Sequence, residues 1–184
     1  MMSTTKKDNL SIELQAVFAE LLSRLETQDE PALNQVPFSG SWTAAQVGDH
    51  LLRSYDVVGC LTGQTAHTQR DPEALIAPLS EAFLNFDIKM ESPDFILPST
   101  GAISKEELLA GLRARMASII EFADSDADMT LTCLDFEVPT LGTLTRIEWL
   151  NFVRVHTTRH NHQLDGILTP SPYPVAAAPP IPPR

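Results

Sequence analysis

Cysteine is scarce in this chain: Cys60 and Cys133 are the only two in 184 residues, and they form no CxxC pair. That excludes a zinc knuckle and a disulfide framework as the basis of the fold. Basic residues are few, 13 Lys and Arg against 24 Asp and Glu, for a formal charge of −11. Nucleic acids and anionic membranes are both bound through clustered cations, so the charge argues against either partner. No apolar run approaches 18 residues, and the N-terminal MMSTTKKDNLSIE lacks the apolar stretch of a secretion signal. A cytoplasmic protein is the expectation. No internal repeat of solenoid length is present.

What remains is ordinary soluble composition, 43% hydrophobic and 20% charged, in a chain long enough to bury one core. Leu10, Leu14, Phe18, Leu21 and Leu25 repeat with helical period and predict a first helix over about residues 9–28. Pro31, Pro37 and Gly40 predict a loop over 29–41. Thr43 and Gln46 then form a capping box, with Trp42 placed to staple onto Val47. The helix they open runs through Leu51, Tyr55 and Val58 to near Gly63.

Residues 64–103 read as a long crossover. Asp71-Pro72 predicts a short helix start, which Pro78 threatens to break, and 92–101 is an extended connector. Ser104 and Glu107 suggest a third capping box, followed by the apolar stripe Leu108, Leu112, Met116 and Ile119. Asp124, Asp126 and Asp128 imitate a calcium loop, but Met129 stands where its glycine is needed, so the segment reads as a solvated acidic turn. TLTCLDFEV, Pro139 and Gly142 make a small extended excursion. After Leu168 the tail holds half of the chain's prolines and is expected to be polyproline-II-like or disordered. These signals predict an all-α four-helix bundle over residues 1–169, with a long crossover between helices 2 and 3, an extended excursion before helix 4, and a separate tail over 170–184.

The fourth helix carries the chemistry. Thr145 and Glu148 form its capping box, and Trp149, Val153, His156, His160, Gln163 and Ile167 then recur at steps of four, three, four, three and four. Two imidazoles one turn apart on an inward stripe have two explanations. They are hydrogen-bonded within a polar seam, or they hold a metal, since residues four apart have Cβ atoms ~6 Å from one another and can share an ion. Gln163 is placed to satisfy the second nitrogen of His160. His162 points about 200° away from His160, and His67 lies in a loop; neither is expected to join the pair. Arg159 lies off the ligand face, placed for an anionic substrate group or for an acid on a neighbouring helix. Trp42 and Tyr55 are expected in the core. His50, on the second helix, is a further candidate ligand.

W-T-x6-H-L at Trp42–Leu51, PTLGTLTRIEWL at Pro139–Leu150 and H-x3-H-x2-Q at His156–Gln163 together resemble the DinB-like (YfiT-like) superfamily. The resemblance implies a four-helix bundle, frequently homodimeric, with a divalent metal on three histidines. By position these are His50, His156 and His160. It further implies metal-dependent hydrolysis, or transfer and isomerisation with a low-molecular-weight thiol, acting on a small-molecule substrate. Imidazole ligands suit Zn, Ni or Fe alike, so the metal is not specified. Two functions stay open: a metal-dependent enzyme, or a non-catalytic metal-binding or stress-associated helical bundle with a vestigial site.

Overall fold

The fourth helix of the sequence reading, here α7 (Arg146–Leu168), is the centre of the computed structural model, which describes residues 4–139 and 141–169. Its first turn is buried, which normally strands four backbone N–H groups. Here each finds an acceptor. Thr145 N–H donates to Glu148 Oε2 (2.9 Å) and Glu148 N–H to Thr145 Oγ1 (3.3 Å), completing the capping box. Arg146 and Ile147 N–H donate to the carbonyls of Leu131 and Met129, both at 3.0 Å. Met129 is buried rather than placed as a calcium-loop residue.

Around α7 pack α1 (Thr4–Glu26), α3 (Ala44–Ser54) and α6 (Lys105–Asp124), closing a four-helix ring in which α1 and α3 each touch both α6 and α7. Leu14, Leu21, Leu25, Leu51, Leu112, Ile119 and Leu164 fill its centre. Burial of each such side chain stabilises the fold by roughly 1.5–3 kcal/mol. No helix among the described residues is long and apolar enough to cross a membrane.

Several local expectations are corrected. Within the predicted loop 29–41, Asp29 caps a short α2 (Glu30–Leu33), accepting from Ala32 N–H at 2.8 Å and burying Leu33. The second bundle helix is interrupted: α3 passes through a 3-10 turn at Tyr55–Val57 into α4 (Val58–Thr62). It stops at Gly63, where a Cβ would collide with the Asp135 carboxylate that accepts from Gln64 N–H at 2.8 Å. The Ser104 box is one-sided: its hydroxyl accepts from Glu107 N–H, while Lys105 N–H is taken by Glu30 Oε2 at 2.8 Å.

The crossover helix is α5 (Ile76–Phe83), not a helix opened at Asp71. Asp71 instead accepts from Glu73 N–H in a turn. Pro78 does not break α5 because it stands in the first turn, where its missing N–H has no partner to lose. The all-α expectation also needs an addition. The excursion is a hairpin of β2 (Thr132–Val138) and β3 (Gly142–Thr145), joined by β1 (Thr65–Ala66) from the crossover into an antiparallel sheet of order β1-β2-β3. Its pairings Thr65↔Cys133 and Thr132↔Thr145 are followed by a register shift before Glu137↔Thr143. Gly142 (φ 76°) supplies the left-handed residue that closes the hairpin. The proline-rich segment 170–184 lies outside the described residues.

Candidate metal centre

His50 projects from α3, His156 and His160 from α7, and each is at least nine-tenths buried. Their Nε2 atoms meet: His156 Nε2 lies 3.1 Å from His50 Nε2 and 3.0 Å from His160 Nε2. Among the described residues these three form the one group of His, Cys, Asp or Glu close enough to share an ion. His162 is outside it, stacked on Phe86 with ring centroids 4.0 Å apart, and His67 is exposed. Both placements follow the sequence reading.

The far side of each ring sets its tautomer. His50 Nδ1 lies 2.9 Å from the Ile96 carbonyl and His160 Nδ1 lies 2.7 Å from Gln163 Oε1. A carbonyl can only accept, so both Nδ1 atoms carry the proton and both Nε2 lone pairs face His156. His156 can offer at most one proton to two such lone pairs. Protons alone therefore cannot satisfy the neutral cluster, whereas a single cation touching all three nitrogens can. The donor set fits a divalent metal. His156 differs from its neighbours: its Nδ1 is buried without a hydrogen-bond partner, and its ring is stacked on Phe152 and edged by Phe83.

The acceptor for His50 comes from the crossover, and α3 latches that segment in place. Ser99 is held by three side chains of one helix: Asp49 accepts its N–H (2.7 Å), Gln46 donates to its carbonyl (2.9 Å), and Arg53 donates to its hydroxyl (3.0 Å). Arg53 also donates to Asp49 at 3.1 Å. The 3-10 turn Asp94–Ile96 is thereby carried onto His50. Sequence reading missed Ile96, because a backbone carbonyl leaves no mark in residue type.

Arg159 finds backbone carbonyls rather than the acid expected of it, and it lines the cleft beside the histidines. Its guanidinium donates to the carbonyls of Phe83 (3.1 Å), Asn85 (2.9 Å) and Ile88, closing the C-terminal end of α5. Tyr55 is a core residue as expected, fully buried with its hydroxyl 2.8 Å from Thr157 Oγ1. Trp42 packs against the core but is only half-buried: its ring lies against His50 (centroids 5.1 Å apart), and it lines a cleft of about 1300 Å³ onto which all three histidines open.

Burial depresses the basicity of the whole cluster. For His50 it outweighs the opposing Ile96 hydrogen bond and Asp49 charge. His156 is pushed well below the ordinary imidazole range by burial and then by repulsion from His160 and His50. Burial and His50 bring His160 down to about 3 against the Gln163 hydrogen bond. In metal-free protein the folded state thus keeps these rings neutral, while unfolded chains protonate theirs near pH ~6.5. Stability is therefore full above that pH and lost as pH falls below it, by up to about 1.4 kcal/mol per pH unit per histidine. Urea titrations of chelator-treated protein at pH 7, 6 and 5 are expected to show a falling midpoint at constant slope. Equal midpoints across that range would contradict the neutral buried cluster.

A buried three-histidine cluster inside a four-helix bundle defines the class: a helical bundle with a candidate metal centre in its core. The chain belongs to the DinB superfamily, which residues 13–164 match. It is similar in structure to YfiT from Bacillus subtilis, described as a probable metal-dependent hydrolase with an unusual four-helix-bundle topology. The TM-score is 0.54 at 21% identity, covering 91% of this chain and 90% of YfiT. It is similar also to TT2238, a four-helix-bundle protein, with TM-score 0.52 and 21% identity over 87% of this chain and 98% of the other. At that identity the likeness concerns the fold. Comparison with curated proteins gives no significant match.

Proposed function

We propose that this protein is a metal-dependent enzyme, with His50, His156 and His160 as ligands of one divalent ion, Zn, Ni or Fe. The observation that carries this reading is the convergence of three imidazole nitrogens, with His156 Nε2 lying 3.1 Å from His50 Nε2 and 3.0 Å from His160 Nε2, the latter two fixed as lone-pair donors, where they open onto a cleft. When bound, such an ion supplies Lewis-acid charge that makes a water or thiol nucleophilic near neutral pH. Attack on a small electrophile, by hydrolysis or by transfer to a low-molecular-weight thiol, is the chemistry that follows. The description of YfiT points the same way.

The chain's own residues provide the setting. Ile96 O and Gln163 Oε1 hold the Nδ1 protons and so orient His50 and His160. Phe83 and Phe152 cover His156 and keep water from its Nδ1 side. A non-catalytic metal-binding bundle would have no use for the cleft in front of the histidines. Elemental analysis of tag-free protein purified without chelator, followed by thiol-transfer and ester-hydrolysis assays before and after chelation, tests the proposal. It expects about one metal per chain and turnover that chelation removes and metal restores. Metal-free protein that refuses Zn, Ni and Fe under oxygen-free conditions would overturn it.

Gln163→Leu probes the support of the ligand set separately. The change removes the acceptor for His160 Nδ1 at a half-buried position. Metal affinity is expected to fall by roughly 10–100-fold with the bundle still folded, the usual effect of removing such a partner. Competition against a chromogenic chelator measures it, and unchanged affinity would show that the hydrogen bond does not tune the site.

A further inference from the structure

The cleft in front of the histidines offers far more apolar surface than a small polar substrate can use. Phe38, Phe86, Ile88, Met90, Phe95 and Leu97 all line it, and all remain 40–62% exposed. Five of these six lie on the crossover, between α5 and the Ser99 latch. Large apolar side chains left together in water around a concavity mark a binding site more often than chance.

They are also connected to the reacting end. Phe95 meets Phe136 at 5.5 Å between ring centroids, Phe136 meets Trp149 at 6.0 Å, Trp149 meets Phe152 at 5.4 Å, and Phe152 meets His156 at 5.1 Å. An unbroken aromatic track thus runs from the exposed mouth to the candidate ligand, and none of its members is charged. Arg53, Lys89 and Arg159 line the cleft together with Asp56, Asp87 and Glu91, so both signs are represented equally and no single charged head group is selected.

We propose that the cleft takes a substrate with an extended apolar body, an alkyl or aryl chain laid along the Phe95–Phe136–Trp149–Phe152 track with its reactive group at the histidines. The placement of the reactive group rests on the metal-centre reading above; the apolar subsite does not. A small apolar molecule suits this surface better than a second copy of this chain, because the track ends in a concavity against the three histidines rather than on an open face.

The chain itself reports occupancy, since its only two tryptophans, Trp42 and Trp149, both line the cleft. Full-length, chelator-treated protein is titrated with 1-alkanols from butanol to octanol, following tryptophan emission. Working without metal separates this test from the metal proposal. Affinity is expected to rise roughly fourfold per added methylene. Phe95→Ser and Phe86→Ser, both at exposed positions, are expected to weaken octanol at least threefold and to leave butanol nearly unchanged. Leu134→Ser, exposed but outside the cleft, is expected to change neither.

Affinity independent of chain length would overturn the proposal, as would Phe95→Ser and Phe86→Ser variants that bind octanol like the wild type. Two further results would give the surface to another occupant. One is a sedimentation coefficient that drops in Phe95→Ser, pointing to a second copy. The other is a chain ending at Thr169 that binds octanol more than tenfold tighter, pointing to the proline-rich segment.

Discussion

Replacing His156 or His160 by Ala is expected to abolish stoichiometric metal retention, lowering the content from about one ion per chain to near zero. Both side chains project from a single rigid helix, so losing either leaves two nitrogens where three converge. His50→Ala is expected to act alike, because its Nε2 faces the same point from α3. His162→Ala and His67→Ala are the controls: one ring is stacked on Phe86 and the other exposed, and metal content should stay at the wild-type level. Circular dichroism of each variant separates metal loss from unfolding. If His162→Ala strips metal as fully as His160→Ala, the three-histidine assignment fails. Ligation needs neutral imidazole, so retention should also weaken with falling pH. The low proton affinity of the cluster confines that loss to acid conditions.

The largest stability effect is expected away from the histidines, at Glu148. Its carboxylate is fully buried and accepts from Arg70 Nη1 (2.6 Å) and Nη2 (2.7 Å), Leu75 N–H (2.8 Å) and Thr145 N–H (2.9 Å). Thr145 in turn donates its hydroxyl to the Pro72 carbonyl at 2.7 Å. One capping box thus starts α7 and pins residues 70–75 of the crossover onto it. Glu148→Ala leaves a guanidinium and two backbone donors short of partners, a loss expected to cost about 3–5 kcal/mol. For a chain of this size that lowers Tm by roughly 6–20 °C. Scanning calorimetry measures it, and a change under 1 kcal/mol would show that solvent replaces the carboxylate freely. Glu148→Gln keeps the cap geometry but loses the charge, and is expected to fall between the two.

The bundle was legible because its signals are local. Apolar residues at helical spacing, Thr43 with Gln46 and Thr145 with Glu148 act over one to a few turns; both boxes form and the stripes are buried, though the second helix breaks at Tyr55–Val57 and the Ser104 box closes on one side only. The HxxxH pair was legible for the same reason: four residues on a helix bring two side chains to one face. His50 was different. It was a candidate only because a second helix offered it, and its assignment as third ligand came by resemblance, since nothing local to α3 tells which turn of that helix meets α7.

The crossover resisted reading because long-range hydrogen bonds set its path. The carbonyls taken by Arg159, the Ser99 latch and the Glu148 clamp all join positions more than 45 residues apart. Short helices such as α2 also escape a periodic pattern, since one turn shows no period. By itself, then, the sequence determined the four bundle helices, the capping boxes of α3 and α7 and the shared face of His156 and His160, because backbone geometry decides those within a few residues. Only the tertiary structure decided that Ile96 would orient His50, that Trp42 would line a cleft, and that an aromatic track would lead to the histidines. Each of those depends on the packing of segments distant in the chain, which no local spacing encodes.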